Sequence, residues 1–326
     1  MESLINSFSD QLRTAIQKGA QLPVAEVKQV RNVLIAGMGG SAIAANVAQS
    51  WLRNSLRMPL EVVRDYRLPA YVDEHSFFIA SSCSGNTEET LSALDDAMKA
   101  NAKIHCITSG GKLAELAEEH SFLRASMPSD CPPRSCLGAN LVGLLSIFNA
   151  TRITDDFLLK EVDAAANFLD EDREAIHRLA KEIAQELVDT KILIYPPNMW
   201  DSVGLRWKQQ FNENSKVHAW HHSIPEMNHN EVVGWRDQQS DLSVFVFESR
   251  FTNERTRFRS TIVEELVQRC GSKFIRIACP GKSLVHDTLY LIHLGDFVSL
   301  ELCKLLGHDP MEIANLDYVK EQLASW

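Results

Sequence analysis

Residues Asn32–Ala42 read NVLIAGMGGSA. A five-residue apolar run closes on three glycines, and AIAANVAQSWL follows from Ala42 with helical spacing. A strand, a glycine-rich turn and a helix in that order form the opening of an α/β unit. The same pattern repeats outward. Leu60–Val63 (LEVV), Phe77–Ser81 (FFIAS) and Lys103–Thr108 (KIHCIT) are short apolar runs. After Thr87, EETLSALDDAMKA sets Leu91, Leu94, Ala97 and Met98 on one helical face. Glu88 and Glu89 fall in its first turn, where the helix dipole favours negative charge. Short strands alternating with helices predict the fold class α/β, with a mainly parallel sheet flanked by helices.

A helical stretch follows over roughly 140–189, charge-rich from Lys160 onward, and then the alternation restarts. Lys191–Tyr195, Leu242–Phe247 and Lys273–Cys279 read as strands. Arg255–Arg269 reads as a helix, with Phe258, Ile262 and Leu266 four residues apart. A chain of 326 residues suits two domains at roughly 100–200 residues each. The expected division is 1–152 and 153–326, the second beginning with the helical segment. Ser283–Leu306 is strongly apolar but contains His286, Asp287, His293, Asp296, Glu301 and Lys304. It reads as a buried helix and not as a membrane span.

The apolar fraction of 45% and charged fraction of 23% are those of an ordinary globular protein. With 33 basic and 43 acidic residues the formal charge is −10, which argues against a nucleic-acid partner. A single small phosphate ester is still compatible, because a few local donors can hold it. The seven cysteines lack a CxxC framework, which reads as a reduced, intracellular chain. The N-terminus has no basic start followed by an apolar core, so no secretory signal is expected.

Two loops look built for phosphate. Gly37–Ala42 lets the backbone turn tightly before a helix whose N–H groups face an anion. Gly37, Gly39 and Ala42, with Glu61 downstream, also satisfy a dinucleotide fingerprint, though a lone match is weak. Ser81–Thr87 (SSCSGNT) again joins a strand to a helix and holds four hydroxyls. Alone, these residues would serve equally as helix caps. Two such loops at successive strand ends favour a phosphorylated sugar over a dinucleotide, since ligands bind outside the carboxyl ends of the strands. The expected phosphate contacts are Gly40, Ser41, Ser82, Ser84 and Thr87.

GMGGSA followed by SSCSGNTEET resembles the sugar isomerase (SIS) domain. More narrowly, Cys131–Arg134 (CPPR), Phe211–Lys216 (FNENSK) and Pro225–Glu231 (PEMNHNE) resemble the bifunctional phosphoglucose/phosphomannose isomerases, in order and over nearly the whole chain. The resemblance implies two SIS domains, a homodimer with a shared active site, and a cytoplasmic enzyme needing no metal or redox cofactor. It implies a hexose 6-phosphate substrate, with glucose 6-phosphate, and conditionally mannose 6-phosphate, converted to fructose 6-phosphate through an enediol. Glu213 becomes the base that moves the proton between C1 and C2; by spacing alone, Glu226 and Glu231 are equal rivals. His229 becomes the ring-opening acid–base group, supplied across the dimer. Arg134 becomes the cation beside the base and the enediolate, and Lys320 a second cation near the sugar ring. The PPRSC run departs mildly from the family's usual single proline. Met311–Ala314 lacks the small polar residue linked to mannose 6-phosphate use, which leaves that second activity open. His218, His221, His222 and His229 have no strong metal spacing, and no metal is expected. Two alternatives stand beside this reading. One is a non-catalytic sugar-phosphate-binding regulator, which would need only the two loops; the other is a nicotinamide-dependent oxidoreductase.

Overall fold

The structure is a computed structural model that describes residues 1–325. Helices α1 (Glu2–Asn6) and α2 (Phe8–Gly19) precede β1 (Asn32–Ala36), α3 (Gly39–Leu52), β2 (Leu60–Val63) and β3 (Ser76–Ser81). There follow α4 (Glu88–Lys99), β4 (Lys103–Thr108), α5 (Gly111–Glu119), β5 (Leu123–Ser126) and α6 (Leu137–Ala150). The expected helical stretch comprises most of α6, then α7 (Phe157–Glu171) and α8 (Arg173–Leu187). The second alternation runs β6 (Lys191–Ile194), α9 (Asp201–Gln210), β7 (Ala219–His221), β8 (Leu242–Glu248), α10 (Glu254–Arg269) and β9 (Lys273–Ala278). Helices α11 (Leu284–Leu305) and α12 (Ala314–Ala324) end the chain.

The first sheet has the order β2-β1-β3-β4-β5 and is parallel throughout, with Ile35 opposite Val62 and Ile79. β1 and β3 are buried almost end to end, as parallel strands covered on both faces must be. On one face Leu34, Phe78 and Ala80 pack with Ala93, Leu94 and Ala97 of α4 and with Leu113 and Ala117 of α5. On the other, Phe77 meets Phe148 of α6. Helix α6 is apolar all round and almost wholly buried, the condition for a helix with no solvent face.

The second sheet has the order β7-β6-β8-β9, also parallel. Val244 and Val246 pack with Val263 and Val267 of α10, while Trp207 of α9 stacks edge-on to Phe245 on the opposite face. Burying one such aromatic is worth about 1.5–3 kcal/mol, so the Trp207–Phe245–Phe211 group is a main anchor of α9. Strands β5 and β7 are absent from the expected set. Both are short edge strands whose LRAS and AWH sequences lack an apolar run.

Each sheet belongs to one compact unit. One unit comprises Asn6–Asp172 and Cys279–Tyr290; the other comprises Met1–Ile5, Arg173–Ala278 and the residues from Leu291 onward. Helix α7 joins the first through Asp170, which accepts bonds from Ser9 Oγ (2.6 Å) and Arg13 Nη2 (2.5 Å). Helix α8 belongs to the second and buries Ile176, Ala180, Ile183 and Leu187 along one face. Among the described residues no helix is long and apolar enough to cross a membrane.

Candidate active site

In the first sheet, the crossovers from β1 and β3 leave toward opposite edges, so a crevice opens at their carboxyl ends. Both hydroxyl- and glycine-rich loops stand there. Gly37 N–H donates to Val63 O (3.2 Å), and Ser82 N–H to Ile107 O (3.0 Å), which pins each loop to the neighbouring strand. Asn140, inside α6, links them. Its amide donates to Ser41 Oγ (3.0 Å) and Ser81 Oγ (2.9 Å). Since a hydroxyl both accepts and donates, Ser41 keeps its proton for a ligand.

The second loop is organised around Ser82. Its Oγ lies 2.8 Å from Thr87 Oγ1 and accepts from Gly85 N–H (3.1 Å). Gly85 has φ +72°, and a Cβ there would collide with the Gly110 carbonyl, so only glycine closes this turn. Ser84 is exposed, and its Oγ accepts from Asn86 N–H (3.3 Å). Thr87 occupies the cap position of α4 in an extended conformation, yet its side chain makes no cap bond. Met38, in the corresponding place before α3, makes none either. The first-turn amides of both helices therefore have no side-chain cap at the crevice, the arrangement that attracts an anion. Burial pushes the Cys83 thiol upward, which suits a packing role and not a nucleophile.

Arg134 lies in the short 3-10 turn Pro133–Ser135 and is only 6% exposed. A Cβ on Gly40 would come within 3.2 Å of Pro133 O and 3.8 Å of Arg134 Cα. A side chain at Gly40 would press on the Pro133 carbonyl, and the arginine turn lies close against the first loop. Cys131 and Cys136, expected as reduced thiols, are paired in a disulfide around this turn, while the other five cysteines are in no disulfide. Pro132 and Pro133 turn the chain back on itself and bring the two sulfurs together, a closure that cysteine spacing alone does not reveal.

The second sheet offers a different surface. Its crossovers diverge between β6 and β8, but the residues after β6 are Tyr195, Pro196 and Pro197. Proline has no N–H to donate. Trp200 fills the space behind them, fully buried, with Nε1 toward Thr252 Oγ1 (3.4 Å). What this unit supplies is the candidate chemistry. Glu213 sits in a π-helical turn, Phe211–Ser215, that extends α9. Such turns are rare and concentrate at functional sites. The turn is tied twice to Ser299 of α11: Asn214 Nδ2 donates to Ser299 Oγ (3.0 Å) and Ser215 Oγ to Ser299 O (2.6 Å). Lys216, in the left-handed region at φ 61°, donates through Nζ to Glu213 O (2.6 Å) and Glu312 O (2.5 Å). Behind the turn, the Arg206 guanidinium pairs with Asp296 (3.1 and 2.6 Å), both buried.

The rival glutamates are differently placed. Glu226 is exposed and accepts from Asn230 Nδ2 (3.0 Å). Glu231 has both oxygens engaged, by Tyr195 Oη (2.7 Å) and His222 Nδ1 (2.7 Å). His229 is exposed at the end of the 3-10 turn Glu226–His229. Lys320 lies on α12 with its side chain 72% exposed, 3.8 Å from Asp317. Within the first unit, therefore, Gly40, Ser41 and Arg134 cluster, as do Ser82, Ser84 and Thr87. Glu213, His229 and Lys320 stand on three separate elements of the second. Glu61 is engaged by the Tyr71 hydroxyl. Among the described residues no group of three His, Cys, Asp or Glu side chains is arranged to hold a metal ion. Sequence reasoning missed Asn140, whose signal was an amide in the first turn of a mostly apolar helix. It also missed Tyr195 and Arg206, whose partners lie 36 and 90 residues away.

Two parallel sheets with the glycine- and hydroxyl-rich loops at the first switch point define a tandem SIS-domain protein. Residues 26–146 match the SIS domain family, and 176–323 match the bacterial phospho-glucose isomerase C-terminal SIS domain. The chain is 35% identical to a bifunctional phosphoglucose/phosphomannose isomerase of Caldicellulosiruptor bescii, over 99% of this chain and 98% of that one. It is 35% identical to the protein of the same description from Aquifex aeolicus, over 90% of each. The chain belongs to the bifunctional phosphoglucose/phosphomannose isomerase family. The fold alone is shared with the C-terminal domain of a Francisella tularensis glucosamine-fructose-6-phosphate aminotransferase, at 15% identity and TM-score 0.73, over 95% of this chain and 97% of that one.

Proposed function

We propose that the protein is an aldose–ketose isomerase that interconverts glucose 6-phosphate, and mannose 6-phosphate, with fructose 6-phosphate through an enediol. The observation that carries this reading is the crevice at β1 and β3, where two loops precede helix N-termini that no side chain caps, the first of them against the turn of a buried arginine. A regulator needs the loops only. A buried Arg134 against Gly40 and a glutamate on a π-helical turn add a cation and a carboxylate that phosphate capture alone does not call for.

In this reading residues 1–152 capture the phosphate and 153–326 supply proton transfer. Ser41, Ser82, Ser84, Thr87 and the Gly40 amide hold the phosphate dianion. His229 donates a proton to the ring oxygen while taking one from the anomeric hydroxyl, which opens the sugar. Glu213 removes the proton from C2 of the aldose, the electron pair moves into the enediolate, and the proton returns to C1 while the hydroxyl proton passes from O2 to O1. Arg134 and Lys320 stabilise the negative oxygens as they develop. No electron leaves the substrate, so the step balances without a redox cofactor or a metal. Helix α12 supports a homodimer with a shared site, since Leu316, Val319 and Leu323 on one face are exposed in the single chain.

The test is formation of glucose 6-phosphate from fructose 6-phosphate, coupled to its dehydrogenase, with and without EDTA, and then with mannose 6-phosphate as substrate. Equal turnover with and without EDTA is expected. Binding of these sugars with no turnover would favour the regulator.

A further inference from the structure

Strands β6 and β7 are neighbours and parallel, with Ile194 opposite His221. The next residue of each, Tyr195 and His222, therefore leaves the carboxyl end of the sheet beside the other. Between them stands the Glu231 carboxylate. Oε1 accepts from Tyr195 Oη (2.7 Å), and Oε2 lies 2.7 Å from His222 Nδ1. A carboxylate only accepts, so Nδ1 carries a proton and donates it to Oε2. Tyr195 is buried, and its hydroxyl accepts from Trp235 Nε1 (3.2 Å). Burial, reinforced by Glu231, pushes the phenol upward, so it remains a donor.

These bonds close a loop. At its start, Ile224 N–H donates to Pro196 O (2.8 Å), and Asn198 N–H donates to Ile224 O (2.8 Å). In its middle, Met227 is fully buried. At its end, Glu231 is tied to both strand ends. Asn230 accepts from Glu231 N–H (2.5 Å) and donates to Glu226 (3.0 Å). The one exposed imidazole on this turn is that of His229.

We infer that Tyr195, Glu231 and His222 form a polar clasp that positions His229 for ring opening. The inference rests on the isomerase reading above. The clasp residues act through the turn, and Glu231, with both oxygens committed, is not the base.

The experiment uses the full-length enzyme and the variants Tyr195→Phe and Glu231→Gln. Phenylalanine keeps the ring against Trp235 and removes only the hydroxyl. Glu231 is 39% exposed and can turn to water, so folding should survive, checked by thermal melt. Turnover is measured on fructose 6-phosphate, which is largely cyclic, and on a tetrose 4-phosphate, which can close neither a five- nor a six-membered ring. The expected result for Tyr195→Phe is a fall in kcat of about tenfold or more on the cyclic sugar, with KM and tetrose turnover within about twofold. Glu231→Gln, which keeps an acceptor for Tyr195, should lose less. Combining Tyr195→Phe with His229→Ala should cost no more than His229→Ala alone. Equal losses on both substrates, additive losses in the double variant, or wild-type kcat in Tyr195→Phe would each overturn the clasp. A wild-type protein that isomerises neither sugar would instead overturn the isomerase reading, and the clasp with it.

Discussion

Thr87→Val separates phosphate binding from helix capping. Valine keeps the β-branched shape and removes the hydroxyl alone. The Thr87 side chain makes no cap bond to α4, and its polar partner in the protein is Ser82 Oγ at 2.8 Å. If the hydroxyl donates to a phosphate oxygen, it makes a hydrogen bond to a charged group worth about 1.5–3 kcal/mol. At 1.4 kcal/mol per factor of ten, KM for fructose 6-phosphate should rise about 10- to 150-fold. The phosphate is remote from C1 and C2, so kcat should change little; loss of binding common to ground and transition states appears in KM. Ser82 keeps the bond from Gly85 N–H, so the stability lost should not exceed the ~0.5–1.5 kcal/mol of one neutral hydrogen bond. The assay is steady-state kinetics on fructose 6-phosphate, with inorganic phosphate as competitive inhibitor, beside a urea unfolding curve. The inhibition constant for phosphate should rise in parallel with KM. A folded Thr87→Val protein whose KM and phosphate inhibition stay within twofold of wild type would refute the assignment of this loop.

Glu213→Gln keeps the shape of the side chain but cannot accept the C2 proton, so kcat should fall at least 100-fold with KM little changed; turnover above about a tenth of wild type would remove Glu213 as the base. Breaking the buried pair with Arg206→Met strands Asp296 and should cost about 3–5 kcal/mol in chemical denaturation, whereas Arg206→Met with Asp296→Leu should recover most of it. Failure of the double variant to recover would show that the guanidinium has other essential partners. His105, with both ring nitrogens buried and unpartnered, has its pKa lowered by burial. The native state then binds fewer protons than the unfolded chain, so stability is complete above about pH 6.5 and is lost as pH falls below it. His105→Leu should lessen that loss by up to about 1.4 kcal/mol per pH unit between pH 6.5 and 5, read from urea midpoints. An unchanged slope would mean that His105 accepts its proton while folded.

Much of the fold was legible because buried parallel strands are continuous apolar runs. NVLIA, FFIAS and LSVFVF announce themselves, and the glycine and serine clusters after the first two mark sharp strand–helix turns. LRAS and AWH did not, since an edge strand is held by its backbone partner and needs no apolar run of its own. The single stretch over 140–189 was read as helical, but its breaks after Ala150 and near Asp172 depend on which core each helix packs against. The cysteine pair was read as reduced because five-residue spacing says nothing about how a double proline folds.

What the amino-acid order determined unaided is therefore local: the period of each element, the loops that need glycine, and the family whose motifs the chain carries. The tertiary structure decided the rest. It set Asn140 between two loops 59 and 99 residues away, and Pro133 and Arg134 against Gly40. It also distinguished three glutamates that spacing left equal: Glu226 on the surface, Glu231 between two strand ends, Glu213 on a π-helical turn. The physical reason is that a side chain's period and backbone preference depend on its near neighbours in the chain. Its partners depend on strand order, and strand order is settled only when the whole sheet buries both faces.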